Sequence, residues 1–378
     1  MKRAAFRPVP VVPARPLEAP SPARRRTLLG LGALGALVTG CGGGTDVAGI
    51  GSGGTGTPVT AFSSGPISGF GSIIVNGIKY DDSAAAVLDD LGRIRRLSEL
   101  GLGMLVEVEG TIDASTGLGV ARSIRIVSQI SGRVESIDAA ARRFVSLGTV
   151  VAVDPATVWN ELEGFDALVP GAEIEVWGDH DSEHAVLRAS RVEIRTRPEV
   201  ATKLRGTIAA VDAGAARIRI GAQWIDLRGL ATVPAGLVEG MEVCVLSTNY
   251  GAGEPMRASE VATISSAVTA PVAEARVDGT VSRHESGALF RVGQWQVDGS
   301  KAESGRALAA VVRNGTRVRV TGPVRDGWIV ARTVELRSVS SDPEPESAET
   351  DPTSAQRPTP TNPSANAGNG QSSGSGSG

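Results

Sequence analysis

Between residues 65 and 338 apolar and polar side chains alternate with a period of two, in runs of four to seven residues broken by Gly, Asp and Asn. Such a period sends successive side chains to opposite faces of a strand. Short strands between turn residues predict an all-β body. The sharpest run is Gly103-Met104-Leu105-Val106-Glu107-Val108-Glu109-Gly110. It returns as Gly171–Gly178 and Gly315–Gly322, and from Gly240 to Val245 without the last glycine. Leu100, Leu168, Leu237 and Val312 each stand three positions ahead of it.

Other blocks recur with it. A glycine lies between apolar positions at Gly69, Gly132, Gly206 and Gly279, in steps of 63, 74 and 73 residues. A strand end follows at Gly77, Gly148, Gly221 and Gly293, then an apolar strand closed by Asp81, Asp154, Asp226 or Asp298. Each unit finishes on a segment opening with Ala121, Ala189, Ala258 or Ala331. The spacing gives four tandem units, 65–128, 129–198, 202–266 and 275–338. About five strands per unit, with a helical turn before the fourth at Ser98-Glu99-Leu100 or Phe165–Leu168, suit a small OB-like Greek-key barrel. An SH3-like barrel is the alternative. A unit this small has a marginal core, so neighbouring barrels are expected to pack together.

The ends differ. Residues 1–40 hold seven basic residues and one acid, then an apolar run from Leu28 to Val38. That is too short to span a bilayer and reads as a signal peptide. Val38-Thr39-Gly40-Cys41 looks like a bacterial lipobox, which makes Cys41 the lipidation site and the membrane a partner through the N-terminal lipid. Arg25-Arg26 leaves twin-arginine and general secretory export both open. Gly42, where an inner-membrane protein would commonly have aspartate, points to the outer membrane. Residues 41–64 read as a Gly-rich tether and 339–378 as a disordered acidic Ser/Pro/Gly tail.

Composition narrows the function. Gly (48) and Pro (21) stay below the low-complexity range and exclude collagen, coiled coil and a polytopic membrane protein. Past residue 40 the net charge is −9, from 31 basic and 40 acidic residues, which argues against a nucleic-acid partner. With Cys41 acylated, Cys244 is the remaining thiol, so no intrachain disulfide forms.

Gly65-Pro66-Ile67-Ser68-Gly69-Phe70-Gly71-Ser72-Ile73-Ile74-Val75-Asn76-Gly77-Ile78-Lys79-Tyr80-Asp81-Asp82-Ser83, behind a Gly-rich lead-in, resembles the bacterial domain-of-unknown-function family 5666. The resemblance spans 65–338 and is most specific in the first unit. It implies exported β-rich units, often lipoproteins, and brings no catalytic residues.

Candidate chemistry is sparse. Gly30/Gly32/Gly35 and Gly49/Gly51/Gly54 match a dinucleotide fingerprint, but one lies in the signal and one in the tether. His180 and His184, placed in a loop among Asp179, Asp181 and Glu183, lack a third ligand at fixed spacing. The four repeated aspartates read as turn caps. Cys244 stands where Glu107, Glu175 and Arg319 stand, and is expected to point outward. Trp224 and Trp295, each after a glutamine, are the candidate ligand-stacking residues. No metal, cofactor or catalytic residue is expected. The reading is a non-enzymatic envelope lipoprotein acting as a binding or scaffold module, with another envelope protein or a glycan as partner. The alternative is a carbohydrate-binding protein using exposed tryptophans.

Overall fold

The computed structural model describes residues 58–337 apart from 114, 196–200, 249, 251–254, 265–270, 287 and 304–310. The signal segment, Cys41 and the acidic tail from 339 lie outside the described residues.

Unit 1 contains β1 (Val59–Gly69), β2 (Ile73–Val75), β3 (Ile78–Asp81), β4 (Ala86–Leu88), β5 (Leu105–Asp113) and β6 (Leu118–Ile126). Unit 2 contains β7 (Ile130–Asp138), β8 (Arg143–Ser146), β9 (Thr149–Ala152), β10 (Val158–Asn160), β11 (Glu173–Asp181) and β12 (Val186–Ile194). Unit 3 has β13 (Thr202–Asp212), β14 (Arg217–Ile220), β15 (Gln223–Asp226), β16 (Glu242–Ser247), β17 (Met256–Arg257) and β18 (Glu260–Thr263). Unit 4 has β19 (Val272–Ser286), β20 (Leu289–Val292), β21 (Trp295–Asp298), β22 (Arg317–Arg325), β23 (Trp328–Val330) and β24 (Thr333–Leu336).

In unit 1 the pairings run β1–β2–β3–β6–β5 and back to β1, with β3 and β6 parallel. Unit 2 closes the same way through β7, β8, β9, β12 and β11. Unit 4 closes through β19, β20, β21, β23 and β22. One-turn 3-10 helices at Leu97–Glu99 and Phe165–Ala167 precede the long strands β5 and β11, the fourth of the five barrel strands once the short β4 and β10 are set apart. This order, with its parallel closing pair, is the OB-type Greek key. The SH3-like alternative is set aside.

Two glycine positions explain the repeat. Gly65, Gly132, Gly206 and Gly279 all face the same residue of the fourth strand, namely Val106, Ile174, Val243 and Val318. The repeat glycine of unit 1 is therefore Gly65, not Gly69. A Cβ at Gly206 would sit 2.7 Å from Ile220 Cγ2, and one at Gly279 2.8 Å from Val292 Cγ1. At Gly65 it would strike Asn76. Glycine lets the second-strand side chain cross the barrel interior there. The other position is Gly110, Gly178 and Gly322, where a Cβ would run into the Val120, Arg188 or Val330 carbonyl across the fourth and fifth strands. Unit 3 has Ser247 instead. There β16 stops at Ser247, the fifth strand divides into β17 and β18, and among the described residues no β16–β17 pairing forms.

The marginal cores are shared. Units 2 and 3 bury one cluster that includes Phe144, Leu147, Ile174, Leu204, Ile218 and Ile225. Trp177 of unit 2 joins the core of unit 1, and Phe62 of unit 1 joins that of unit 4. Backbone pairing adds to this, since β1 runs parallel to β19 over Ala61–Ser64 and β7 meets β13 at Lys203 and Leu204. The tether read as extending to residue 64 is corrected by this contact. β1 begins at Val59, and Ala61, Phe62, Ser63 and Ser64 are buried. Two apolar residues suffice once a neighbouring barrel covers them.

Candidate functional site: a cleft among three barrels

Polar residues on the outward faces of the first and fourth strands meet at the seams between units. Asp90, after β4, accepts from Lys203 Nζ at 2.7 Å and Arg205 Nη1 at 2.9 Å. Arg205 Nε also reaches Glu242 Oε1 at 2.7 Å. Burial alone would lower the Arg205 pKa, but Glu242, Asp90 and Glu107 outweigh it and raise it. Glu107 is pushed up by burial, against the pull of Arg205 and Arg125. Its Oε1 accepts from Gln294 Nε2 of unit 4 at 2.6 Å.

All four units meet around a cavity of about 110 Å³ lined by Glu107, Asp179, Arg205, Glu242 and Asp278 among others. Asp179 retains partial solvent contact, yet the protein around it raises its pKa from 3.8 to about 6. Burial is the main cause; Arg317 opposes it and Asp278 adds to it. Arg319 already holds Asp278 with two bonds of 2.9 Å, and His180, on the same strand, lines the cavity too. A carboxyl whose pKa rises on folding binds its proton more tightly in the folded chain. Its contribution is therefore complete below pH 3.8 and lost as pH rises through about 6. Asp179→Asn is expected to raise the melting temperature at pH 7.5 by more than at pH 4.5. Equal shifts at the two values in a calorimetric scan would contradict this.

A larger cleft, about 710 Å³, opens among units 1, 2 and 3. Unit 1 contributes Phe70, Asp90, Arg95 and Leu102; unit 2 contributes Trp159, Glu175, Trp177 and Arg191; unit 3 contributes Lys203. Phe70 and Leu102 are exposed and Trp159 is half-buried, its ring packed at 6.4 Å edge to face with buried Phe165. Arg191 binds Glu193 Oε2 through Nη2 at 2.7 Å and the Leu102 carbonyl through Nη1 at 2.9 Å, which ties unit 2 to unit 1. The Arg191 guanidinium also lies 5.8 Å from the Trp177 ring.

The residues singled out from sequence lie elsewhere. Trp224 and Trp295 do not occupy matching places. Gln223 pairs with Ile220, and Trp295 pairs with Val292, so the two tryptophans are one register apart on opposite faces. Trp295 is 4% exposed and packs on Phe62 at 4.6 Å, inside unit 4. Its reading as an exposed stacking residue is corrected. Trp224 faces outward, but Arg217 covers its ring at 4.3 Å and Arg219 lies at 5.7 Å.

Cys244 is likewise corrected: it is fully buried, because the outward face of β16 is covered at the seam with unit 1. Burial pushes its thiol up to about 12, though Lys203 pulls the other way. His180 lies in β11 rather than in the loop, and His184 Nδ1 meets Asp181 Oδ2 at 2.8 Å in the turn. Asp181 also takes two bonds from Arg188, so it is held as an ion-pair anchor. Among the described residues no cluster of three metal-ligating side chains forms.

The repeated aspartates cap turns. Asp81, Asp154, Asp226 and Asp298 each accept the backbone N–H two residues on, at 2.9 to 3.0 Å. Side-chain bonds from Arg228 hold Asp226 down at about 2.

The family model "Domain of unknown function (DUF5666)" matches residues 58–125 and 131–193. The two matched segments coincide with units 1 and 2. Units 3 and 4 lie outside the matched segments, although unit 4 closes in the same strand order and unit 3 follows it up to its divided fifth strand. No curated protein matches. A solved structure described as "drosophila Unr CSD456" is similar at 15% identity over 57% of this chain and 98% of that one, with a TM-score of 0.17. The cleft is built largely by the two units that the family model matches, with unit 3 closing one side. Trp159 was missed in the sequence because β10, like β4 of unit 1, is a short strand outside the recurring sequence blocks; a lone indole after the third strand was the available signal.

Proposed function

We propose that the chain is a cell-envelope lipoprotein, exported and anchored at the outer membrane through lipid on Cys41, and that it acts as a non-enzymatic binding module. The observation that carries the binding role is the 710 Å³ cleft assembled from three barrels, within the size range of ligand pockets. Seams fixed by Asp90 and Arg191 hold its walls in place before any ligand arrives. The lipobox at 38–41 carries the anchor. Cys41→Ala is expected to move the protein from the membrane pellet to the soluble envelope fraction. A variant that stays in the pellet after a carbonate wash would contradict the anchor.

A further inference from the structure

We infer that the cleft takes a neutral saccharide, stacked on Trp159, an inference that rests on the binding role proposed above. Charge gives the first reason. Among the described residues, the five cations that line the cleft are each ion-paired: Arg93 with Glu260, Arg95 with Glu99, Arg191 with Glu193, Arg195 with Glu173 and Lys203 with Asp90. An anionic ligand would have to break one of these pairs, and it would also face Glu161 and Glu175, carboxylates of the lining that belong to none of them, so it gains no uncompensated positive charge.

A neutral polyhydroxylated ligand asks for something else. Each hydroxyl both donates and accepts, and paired Arg and Glu side chains present donors and acceptors side by side. Glu175, bonded through Oε1 to Ser128 Oγ at 2.5 Å, and the Arg191–Glu193 pair form such an edge. The floor holds polar atoms with no partner in the protein. Trp177 Nε1 and Ser131 Oγ are both buried and both unbonded, in residues that line the cleft and are 2% exposed. A buried polar atom left unpaired is costly, so a small side-chain adjustment that lets a ligand hydroxyl reach either one is favoured.

The apolar side completes the match. A pyranose ring has a C–H face that stacks on an indole, and Trp159 is half-buried with Phe165 behind it, a supported platform rather than a mobile one. Phe70 and Leu102, 53% and 41% exposed, add apolar surface at the cleft. An aromatic platform, charge-neutral hydrogen-bonding edges and unpaired polar atoms in one cleft select for saccharide over a lipid tail, a phosphate or a peptide.

The test titrates the full-length protein with maltotriose, cellotriose and N,N′,N″-triacetylchitotriose, with trigalacturonic acid as the anionic comparison, by calorimetry and tryptophan fluorescence. At least one neutral trisaccharide is expected to bind saturably, at least tenfold tighter than trigalacturonic acid. Trp159→Ala should weaken it at least tenfold, and the milder Phe70→Ala, at an exposed site, should weaken it while leaving the melting temperature unchanged. Tighter binding of the acidic trisaccharide, binding indifferent to both variants, or no binding of any of the four would overturn the saccharide assignment. The broader binding role has its own readout in partner capture from the cleft, so its failure and this one are separable.

Discussion

Arg205→Ala is expected to destabilise the four-unit body by about 3–5 kcal/mol, the range for breaking a buried ion pair from one side. Arg205 is 3% exposed and bridges Asp90 of unit 1 to Glu242 of its own unit. Removing it strands Asp90, itself 1% exposed, with Lys203 as its remaining partner, and removes a positive charge from beside Glu107. Because Asp90 and Lys203 both line the cleft, the loss should also loosen a cleft wall. Arg93→Ala serves as the control. Its pair with Glu260 joins the same two units, yet both side chains are about half exposed, so it is expected to cost under about 1 kcal/mol. Urea denaturation of the two variants side by side checks the contrast. Equal, small effects would mean that the Asp90 seam does not hold units 1 and 3 together.

Trp295→Ala is expected to cost a similar amount, about 3–5 kcal/mol, as the truncation of a large buried aromatic. The indole fills unit 4 against Phe62, which belongs to unit 1, so the variant should weaken both the barrel and its junction with β1. Trp224→Ala removes a ring that lies under two arginines on the surface and should cost well under half as much. Tryptophan emission offers a second check, since loss of Trp295 should remove a blue-shifted component and loss of Trp224 a red one. A destabilisation below about 1 kcal/mol for Trp295→Ala would restore it as a surface residue.

The repeat, the all-β class and the turn-capping aspartates were legible in the sequence because each is a local matter. Period-two alternation, a glycine at fixed distance from a strand end and an Asx turn depend on neighbours a few residues away. Register was less legible. Trp224 and Trp295 both follow a glutamine, but counted from Gly221 and Gly293 they differ by one position, and one position in a strand reverses the face. The ambiguity between Gly69 and Gly65 has the same origin, since Ile67 stands two positions from each and only the pairing with Val106 tells them apart. Burial at the seams was not legible at all. Cys244, Glu107 and Arg205 occupy positions that face outward on an isolated barrel, and their burial arises from distant units packing against them, as in the Arg205–Asp90 and Glu107–Gln294 contacts, 115 and 187 residues apart in the chain. The cleft follows from the same packing. Its aromatic wall, Phe70 from the first loop of unit 1 and Trp159 from β10 of unit 2, comes together only when two repeats are placed side by side.

The most direct measurement is photo-crosslinking in intact cells, with a benzoylphenylalanine placed either at Leu102 in the cleft or at Leu336 in β24. Both residues are exposed and apolar, 41% and 53%, so the substitution disturbs neither core. The binding role predicts a discrete adduct, glycan or protein, from position 102 and none from 336, in the membrane fraction. Adducts of the same kind and yield from both positions, or none from 102, would contradict it.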